Sequence, residues 1–274
     1  MRHALVIYNP VSGSKKWRDV PATLRKVLLQ ENYSHTWFET QPVKRQNFSA
    51  LGSQKYDRII ACGGDGTIAE VVTWMIQNKL KTPLVVLSLG SANLLARSLG
   101  LPFLNIKKAL QEGLTAPGKP LDVMRINGKH IALIAAGRGY DAFLMQHTQR
   151  TAKRRWGLLA YLGTFLKTFL FYRNKPYKLT VDGQRFYITA KSIMVINVAP
   201  LPQMLISGQD GMLNLFALGR FNRLRSWKGK KISIKTPNEL TFQLDGEVFK
   251  SKTLNIEVLP GAIQVVYKKF LFQI

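Results

Sequence analysis

Five consecutive residues, Gly63-Gly64-Asp65-Gly66-Thr67, are the part of this chain whose types and spacing point most directly to chemistry. They follow an apolar run at residues 58–61 and precede a helical pattern that begins at Ile68 and Ala69. Glycines let backbone N–H groups approach an anion, and a helix N-terminus adds unpaired donors and the positive end of a dipole. The segment therefore predicts a phosphate-binding turn, and a plain strand-to-helix turn is the alternative.

Asp65 is the unexpected residue in this turn, because a carboxylate repels phosphate. Its presence is explained if it orders the loop, or if a divalent cation with oxygen ligands lies between the carboxylate and the phosphates. The residue types leave both explanations open.

Two further turns follow predicted strands. Asn9-Pro10-Val11-Ser12-Gly13-Ser14-Lys15 comes after the first strand, and Gly90-Ser91-Ala92-Asn93 comes after the fourth. Ser12 can donate to an anion and Lys15 adds positive charge, whereas Ser91 and Asn93 equally suit the N-cap of a helix. Because ligands bind at the carboxyl ends of strands in such sheets, the three turns together predict one anion site.

The elements that must position these turns alternate along the first 120 residues. Alternation of strands and helices predicts a parallel sheet with helices on both faces. The predicted strands are 5–8, 34–38, 58–61 and 84–87, and the predicted helices are 17–30, 67–77 and 93–99.

Short β-branched and aromatic runs dominate after residue 120, with hairpin signals at Asn127-Gly128 and Asp182-Gly183. The predicted strands are 131–135, 177–181, 186–189, 193–198, 213–217, 232–235, 240–244, 254–258 and 263–267. These runs predict an antiparallel β domain with an inserted helix at 158–171. We therefore expect an α/β domain at 1–120 and a β domain at 121–254, and the sequence leaves open whether residues 255–274 return to the first domain.

The net charge of +25 is distributed unevenly. Residues 1–122 carry 16 Lys and Arg against 8 Asp and Glu, whereas residues 123–274 carry 24 against 7, so the two parts have net charges of +8 and +17. Such a cationic half implies an anionic partner, either nucleic acid or a membrane rich in acidic lipid. Cations interleaved with Trp227 favour membrane docking by the run at 220–231, and a solvated loop or stacking on nucleic acid are the alternatives. The basic residues of this run are Arg220, Arg223, Arg225, Lys228, Lys230 and Lys231.

Cys62 is the single cysteine, so the chain forms no internal disulfide, which fits a reducing compartment. The apolar run at 156–172 has 17 residues including Lys167, which is at the lower limit for spanning a bilayer. We interpret it as a buried or interfacial helix and expect a cytoplasmic protein associated peripherally with the membrane.

Together the motifs resemble the diacylglycerol kinase catalytic family, which includes soluble bacterial lipid kinases and sphingosine kinases. The match follows the family order over nearly the whole chain. Its residues are Asn9-Pro10-Val11-Ser12-Gly13, Gly63-Gly64-Asp65-Gly66-Thr67, Gly90-Ser91-Ala92-Asn93-Leu94-Leu95-Ala96-Arg97, Leu121-Asp122-Val123, Gly137-Arg138-Gly139-Tyr140-Asp141-Ala142, Asp210-Gly211-Met212-Leu213 and Asp245-Gly246-Glu247.

The resemblance implies an α/β domain with a parallel sheet, like those of NAD kinases and diacylglycerol kinases, and a C-terminal antiparallel β-sandwich, with the active site in the cleft between them. It implies an ATP-dependent and Mg²⁺-dependent lipid kinase with a lipid substrate, an anionic membrane surface as partner and no nucleic acid. The residues that it places on ATP are Asn9, Pro10, Val11, Ser12, Gly13, Lys15, Thr40, Gly63, Gly64, Asp65, Gly66, Thr67, Ile68, Ala69, Ser91 and Asn93.

The same resemblance assigns the catalytic and metal-binding residues. It implies that Asp245 and Glu247 hold the catalytic base and that Asp65, also catalytic, supports the active-site magnesium through water together with Asp122. It matches Asp210 and the backbone oxygens of Ser207 and Met212 to a structural metal site. For Asp245-Gly246 and Asp210-Gly211, a plain turn is the alternative.

Two segments depart from the family pattern. Leu94 stands where many bacterial members have Asp, which implies a thinner magnesium–water network, and residues 199–206 replace a glycine-richer stretch. Both departures leave the identity of the lipid open.

Two other functions are compatible with parts of the sequence. NAD kinases share Gly-Gly-Asp-Gly-Thr but usually carry a downstream Asn-Glu pair, and the only such pair here, Asn238-Glu239, lies far along in the β domain. The other alternative is a basic nucleic-acid-binding or regulatory protein on a kinase scaffold. The intact Asp65, Asp245 and Glu247 argue against it.

Overall fold

The computed structural model describes residues 1–13, 19–41, 46–51, 54–90, 93–102, 105–138, 173–201, 204–219 and 223–267. The chain divides into two compact units. The first consists of Met1–Val123, Val198–Asp210 and the described part of Pro260–Ile274, and the second of Met124–Asn197 and Gly211–Leu259. Inclusion of Val198–Asp210 in the first unit was not indicated by the sequence pattern.

The strands, in chain order, are β1 (Arg2–Tyr8), β2 (Tyr33–Glu39), β3 (Arg58–Gly63), β4 (Leu84–Ser88), β5 (Gly118–Ile126), β6 (His130–Ala132), β7 (Ala135–Arg138), β8 (Lys175–Val181), β9 (Gln184–Ile196), β10 (Val198–Leu201), β11 (Met204–Ser207), β12 (Leu213–Gly219), β13 (Leu224–Gly229), β14 (Lys231–Leu244) and β15 (Glu247–Val266). The helices are α1 (Val20–Gln30), α2 (Asp65–Gln77), α3 (Leu94–Ser98) and α4 (Ile106–Thr115), with a 3-10 helix at Ser49–Leu51.

Parallel pairing organises the first unit. β1 pairs in parallel with β2 on one side and β3 on the other, and β3 pairs in parallel with β4. The end of β15 continues this order, because Val265 pairs in parallel with Leu84. Residues 4–7 of β1 and 59–62 of β3 are fully buried, as expected for strands covered on both faces. The carboxyl ends of β1, β3 and β4 therefore lie at one edge.

Helices with one apolar face cover this sheet. In α2 the buried positions include Ile68, Val71, Val72 and Met75, which recur at helical spacing. Helix α4 was not predicted from the sequence. Its N-cap is Asn105, whose side chain accepts a 2.9 Å hydrogen bond from the Lys108 amide.

Antiparallel pairing organises the second unit. β8 pairs with β9, β9 with β7, β7 with β14 and β14 with β8, so the pairings close into a small barrel. Its core includes the fully buried Phe242 together with Leu179, Val195 and Ile234. The sequence predicted antiparallel strands here, and the sandwich layout stays a prediction.

Three local predictions differ from the structure. One long strand, β14, replaces the separate strands predicted at 232–235 and 240–244. Another, β15, replaces those predicted at 254–258 and 263–267. No strand was predicted in the run at 220–231, yet its described part forms β13, paired with β12.

The predicted helix at 158–171 and the apolar run around it lie outside the described residues. Among those that are described, no helix combines the length and apolar composition that membrane crossing requires.

Candidate functional site

The three predicted turns meet at the edge of the first unit's sheet. The amide of Asn9, just after β1, donates a 2.9 Å hydrogen bond to the Cys62 carbonyl near the end of β3. The amide of Leu89, just after β4, donates a 2.8 Å bond to the Gly63 carbonyl. The turns after β1 and β4 are therefore both tied to the turn after β3. Cys62 is itself buried, and burial raises the pKa of its thiol, as expected for a small residue that fills space at the end of β3.

Side-chain hydrogen bonds join the turn after β1 to the turn after β3. Nδ2 of Asn9 donates a 2.8 Å hydrogen bond to Oγ1 of Thr67, while Oδ1 of Asn9 accepts a 3.0 Å bond from the Val11 amide. Oγ of Ser12 accepts a 3.1 Å bond from the Gly64 amide. The Gly64 N–H is therefore engaged inside the protein and is not available to an anion.

Close backbone approach explains two of the glycines. A Cβ on Gly63 would lie 2.6 Å from Cβ of Thr67, and a Cβ on Gly90 would lie 3.0 Å from Cα of Gly64. A Cβ on Gly66, by contrast, would meet nothing within 4 Å. Gly63 and Gly90 are required by packing, whereas the space beside Gly66 is open among the described residues.

The N-terminus of α2 points donors into this region. Its N-cap, Gly64, has an extended backbone and makes no side-chain cap within the described structure. The intrahelical bonds begin with the Ile68 amide, which donates to the Gly64 carbonyl at 3.1 Å. The amides of Gly66 and Thr67 precede that first bond, and with the positive end of the helix dipole they favour an anion.

Asp65 also has a local structural role. Its Oδ1 accepts a 3.4 Å hydrogen bond from the Leu95 amide in the first turn of α3. This contact supports the loop-ordering explanation for an acid in a phosphate turn. Oδ2 accepts no hydrogen bond from any described residue, so one oxygen is available for a cation or water.

Asn93 carries a buried acceptor without a partner. It has a left-handed backbone (φ 48°) before α3, and its side chain makes no cap. The residue is 6% exposed, and its Oδ1 forms no hydrogen bond with any described residue. A buried acceptor left unpaired costs about 1–3 kcal/mol, so this oxygen requires a donor or a cation.

Two other predicted ATP residues occupy this edge. Thr40, at the end of β2, is buried, and its amide donates a 2.9 Å bond to the Tyr8 carbonyl at the end of β1. Gly13 adopts φ 94°, a backbone conformation that favours glycine. Lys15 and Ser91, which were also predicted to contact ATP, lie outside the described residues.

Asp122, the other residue predicted to support magnesium, lies on β5 in the first unit. It is 2% exposed, and its Oδ1 accepts a 2.8 Å bond from the Gly261 amide. Its own amide donates a 2.7 Å bond to the Gly208 carbonyl. Burial, with the charge of Asp122 as the smaller cause, raises the pKa of Tyr267 to about 12. Through the bond from Gly261, Asp122 holds the last part of β15 against β5.

The Asp210 region contains two glycines with left-handed backbones, Gly208 (φ 60°) and Gly211 (φ 65°). The described residues contain no group of three His, Cys, Asp or Glu side chains that could hold a metal. A metal at Asp210 would therefore depend on backbone oxygens, such as those predicted for Ser207 and Met212. That site stays a prediction.

Asp245 and Glu247 occupy a tight hairpin in the second unit. Leu244 pairs with Glu247, so Asp245 (φ 45°) and Gly246 (φ 100°) form a two-residue turn of the kind that Asp-Gly favours. The carboxylate of Asp245 accepts hydrogen bonds from the amides of three residues far away in sequence, namely Leu133, Ile134 and Ala135. Glu247 is exposed. The two acids therefore differ: one is engaged by backbone donors and the other faces solvent.

Comparison with known proteins matches residues 3–126 to the family model described as the diacylglycerol kinase catalytic domain. A Staphylococcus haemolyticus protein named "Putative lipid kinase SH2167" is 27% identical over 300 aligned residues, covering 96% of each chain. A Staphylococcus aureus protein (strain bovine RF122) named "Putative lipid kinase SAB0675c" has the same identity and coverage.

Solved structures show the same fold. A crystal structure described as "a putative diacylglycerol kinase" from Bacillus anthracis has a TM-score of 0.79 and 24% identity, covering 97% of this chain and 95% of that one. Another from the same organism, described as a diacylglycerol kinase, has a TM-score of 0.74 and 22% identity, covering 97% of each. The resemblance seen in the sequence motifs is thereby confirmed.

Proposed function

We propose, from the diacylglycerol kinase catalytic domain that residues 3–126 carry, that this protein transfers the γ-phosphate of ATP to the hydroxyl of a lipid of the diacylglycerol class. The observation that carries the proposal is the interlocking of three glycine turns around the N-terminus of α2. Phosphoryl transfer depends on positioning and charge neutralisation, which such a rigid set of donors supplies. The names of the curated relatives support a lipid as acceptor.

The turns divide the work of nucleotide binding. Ser12 and Asn9 hold the first turn on α2, and the amides of Gly66 and Thr67 bind phosphate oxygens. Gly90 lets the third turn approach Gly64 closely, which keeps the three turns in one fixed arrangement. Because these groups are held before ATP arrives, little ordering is needed on binding.

The oxygens around α3 fit a magnesium ion. Mg²⁺ is bound by oxygen ligands and usually keeps several waters, so a few protein oxygens suffice. Oδ1 of Asn93 is buried without a partner, and Oδ2 of Asp65 accepts no bond from the described chain. Bound there, Mg²⁺ would neutralise negative charge on the transferring phosphate. We assign Asp65 and Asn93 to this role, with Leu94 adding no oxygen.

The acceptor hydroxyl needs a base, and the two acids of the hairpin suit different roles. We assign Glu247 as the group that takes the hydroxyl proton while the new O–P bond forms and ADP leaves with the electrons of the broken bond. Asp245 is assigned to positioning, because its oxygens already accept three backbone hydrogen bonds. The hairpin is thus held in place by one acid and presents the other.

The NAD kinase alternative finds little support in the second unit. Asn238 and Glu239, the only Asn-Glu pair, are both exposed on β14 where its register with β15 shifts. An exposed pair at a strand irregularity does not form a recognition site for nucleoside hydroxyls.

An anionic membrane is proposed as the partner, but the basic run at 220–231 has fewer groups available for docking than its sequence indicated. Arg223, Arg225 and Lys230 are exposed. Trp227, however, packs against Phe186 with ring centroids 5.5 Å apart, beside the barrel core. The described part of this run therefore contributes charge, and its tryptophan is committed to packing.

A single assay separates the candidate functions. Purified protein is incubated with γ-labelled ATP and Mg²⁺, and with diacylglycerol, sphingosine, NAD or buffer alone. We expect label in the product with diacylglycerol. Label transferred only to NAD would establish an NAD kinase, and absence of transfer to any acceptor would refute the proposed function.

A further inference from the structure

The outer face of the barrel carries an unusual row of side chains across three strands. Lys235 of β14 lies directly opposite Lys178 of β8, and Lys178 lies directly opposite Tyr187 of β9. All three are exposed, Tyr187 to 73%. We call this row and its neighbours on the same outer positions, Arg185 and Lys231, the barrel face.

The row of Lys235, Lys178 and Tyr187 carries positive charge alone, and Glu257, the acid directly opposite Lys231, is in an ion pair with Arg125. Like charges on directly opposite residues destabilise a sheet, so the Lys178–Lys235 pair is a cost to the fold. Neither lysine forms an ion pair with any residue that the structure describes. The Lys178 ammonium lies 5.5 Å from the Tyr187 ring centroid, which relieves little of the repulsion. An external anion between the two lysines would relieve it.

A pocket of about 460 Å³ opens beside this row. Its lining includes both lysines, Tyr187, Pro176, Pro237 and Thr189. The pocket therefore combines two ammonium groups with an aromatic ring and proline rings. That combination suits an anionic head attached to an apolar body.

We propose that the barrel face docks on a membrane of acidic phospholipid, with the phosphate of one headgroup bound in this pocket between Lys178 and Lys235. Lysines attract anionic lipid, and an exposed tyrosine is suited to the membrane–water interface. The inference rests on the proposed function for one thing, namely the reason for docking, which is access to a lipid substrate. The observations of charge and pocket do not depend on any role of the glycine turns.

Nucleic acid is the less suitable occupant. Binding of single strands uses successive aromatic platforms along a basic groove. On the outward positions of β8, the first half of β9 and the first half of β14, Tyr187 is the one aromatic side chain among the described residues. A single ring beside a pocket matches one headgroup better than a track of bases.

The test measures binding to vesicles of phosphatidylcholine with and without phosphatidylglycerol, by co-sedimentation at low salt. Lys178→Gln/Lys235→Gln should weaken binding to the acidic vesicles about 30-fold, from about fivefold per lysine. Lys107→Gln/Lys108→Gln removes the same charge from exposed positions of α4 and should change binding little. Arg223→Gln/Arg225→Gln removes two positive charges from the basic run and is the second comparison. Equal loss in all three variants would overturn the proposal, because binding would then follow net charge alone.

Further arms separate the other occupants and the proposed function. Tighter binding of a single-stranded oligonucleotide than of acidic vesicles, lost in Lys178→Gln/Lys235→Gln, would establish nucleic acid instead. Displacement by millimolar inorganic phosphate would show a free-phosphate site and overturn the membrane assignment. Vesicle binding that survives in Asp65→Ala, or in a protein without lipid kinase activity, would support the barrel face even if the proposed function failed.

Discussion

The side-chain amide of Asn9 donates a 2.8 Å hydrogen bond to the hydroxyl of Thr67, joining the turn after β1 to the first turn of α2. The same side chain accepts from the Val11 amide. One residue therefore fixes both its own turn and the orientation of that turn towards the helix N-terminus.

Removing this link should loosen the proposed nucleotide site. In Asn9→Ala, both side-chain hydrogen bonds are lost, so we expect stability to fall by about 1–3 kcal/mol. The KM for ATP should rise about tenfold, because the donors are no longer held in place. Thermal unfolding and steady-state kinetics measure the two effects. Thr67→Ser, which keeps the hydroxyl, is the control, and an unchanged KM in Asn9→Ala would contradict the role assigned here.

Two glycines of the same site should respond differently to an added methyl group. Gly90→Ala places a Cβ 3.0 Å from the Gly64 backbone, so the turns must separate, and we expect a loss of about 1–3 kcal/mol. Gly66→Ala meets no neighbour within 4 Å and adds a better helix former to α2, so its stability should be equal or higher. Denaturant titration compares the two, and equal stabilities would show that the third turn is not closely packed.

Asp65 can be tested for its two roles separately. Asp65→Asn keeps the oxygen that accepts from the Leu95 amide but loses the charge, whereas Asp65→Ala loses both. If charge is needed for magnesium and phosphate, both variants should lose turnover by about 100-fold or more. Circular dichroism should show that both fold. Wild-type turnover in Asp65→Asn would mean that the residue serves only to order α3.

Local sequence signals predicted the turns well because glycine spacing and strand ends are local properties. Asn9, Gly63, Gly64 and Gly90 were placed at one edge from the sequence, and the structure brings them into contact. Features that depend on distant partners were not predictable. The three amide donors to Asp245 come from residues 133–135, where the chain passes from β6 into β7 more than 100 residues earlier.

Strand register decides other outcomes that composition cannot. Trp227 was read as interfacial from its basic neighbours, yet it pairs with the buried Leu215 of β12 and so lies on the core side. The row of Lys235, Lys178 and Tyr187 is invisible in the sequence, because its members come from three separate strands.

Tyr267 should give the folded state a measurable dependence on alkaline pH. Its pKa is raised from 10.0 to about 12, first by burial and second by Asp122. The folded state thus prefers the neutral phenol, and this contribution to stability is complete below pH 10 and lost as the pH rises from 10 to 12. The unfolding free energy of wild type should therefore fall relative to that of Tyr267→Phe over that interval. Tyr8 and Tyr56 titrate in both proteins and cancel, so a constant difference would show that Tyr267 is not buried near Asp122.

The two acids of the hairpin should separate into chemistry and positioning. Glu247→Gln removes an exposed carboxylate, so stability should be unchanged while the maximal rate falls about 100-fold or more, the scale of losing a general base. Asp245→Asn leaves the amides of residues 133–135 with a weaker acceptor, so both stability, by about 2 kcal/mol, and the maximal rate should fall.

Denaturant titration and initial rates on diacylglycerol distinguish these outcomes. Glu239→Gln removes another exposed acid from the same unit and should leave both quantities at wild-type values. Full activity in both hairpin variants would place the base elsewhere and leave Asp245-Gly246-Glu247 as a plain turn between β14 and β15.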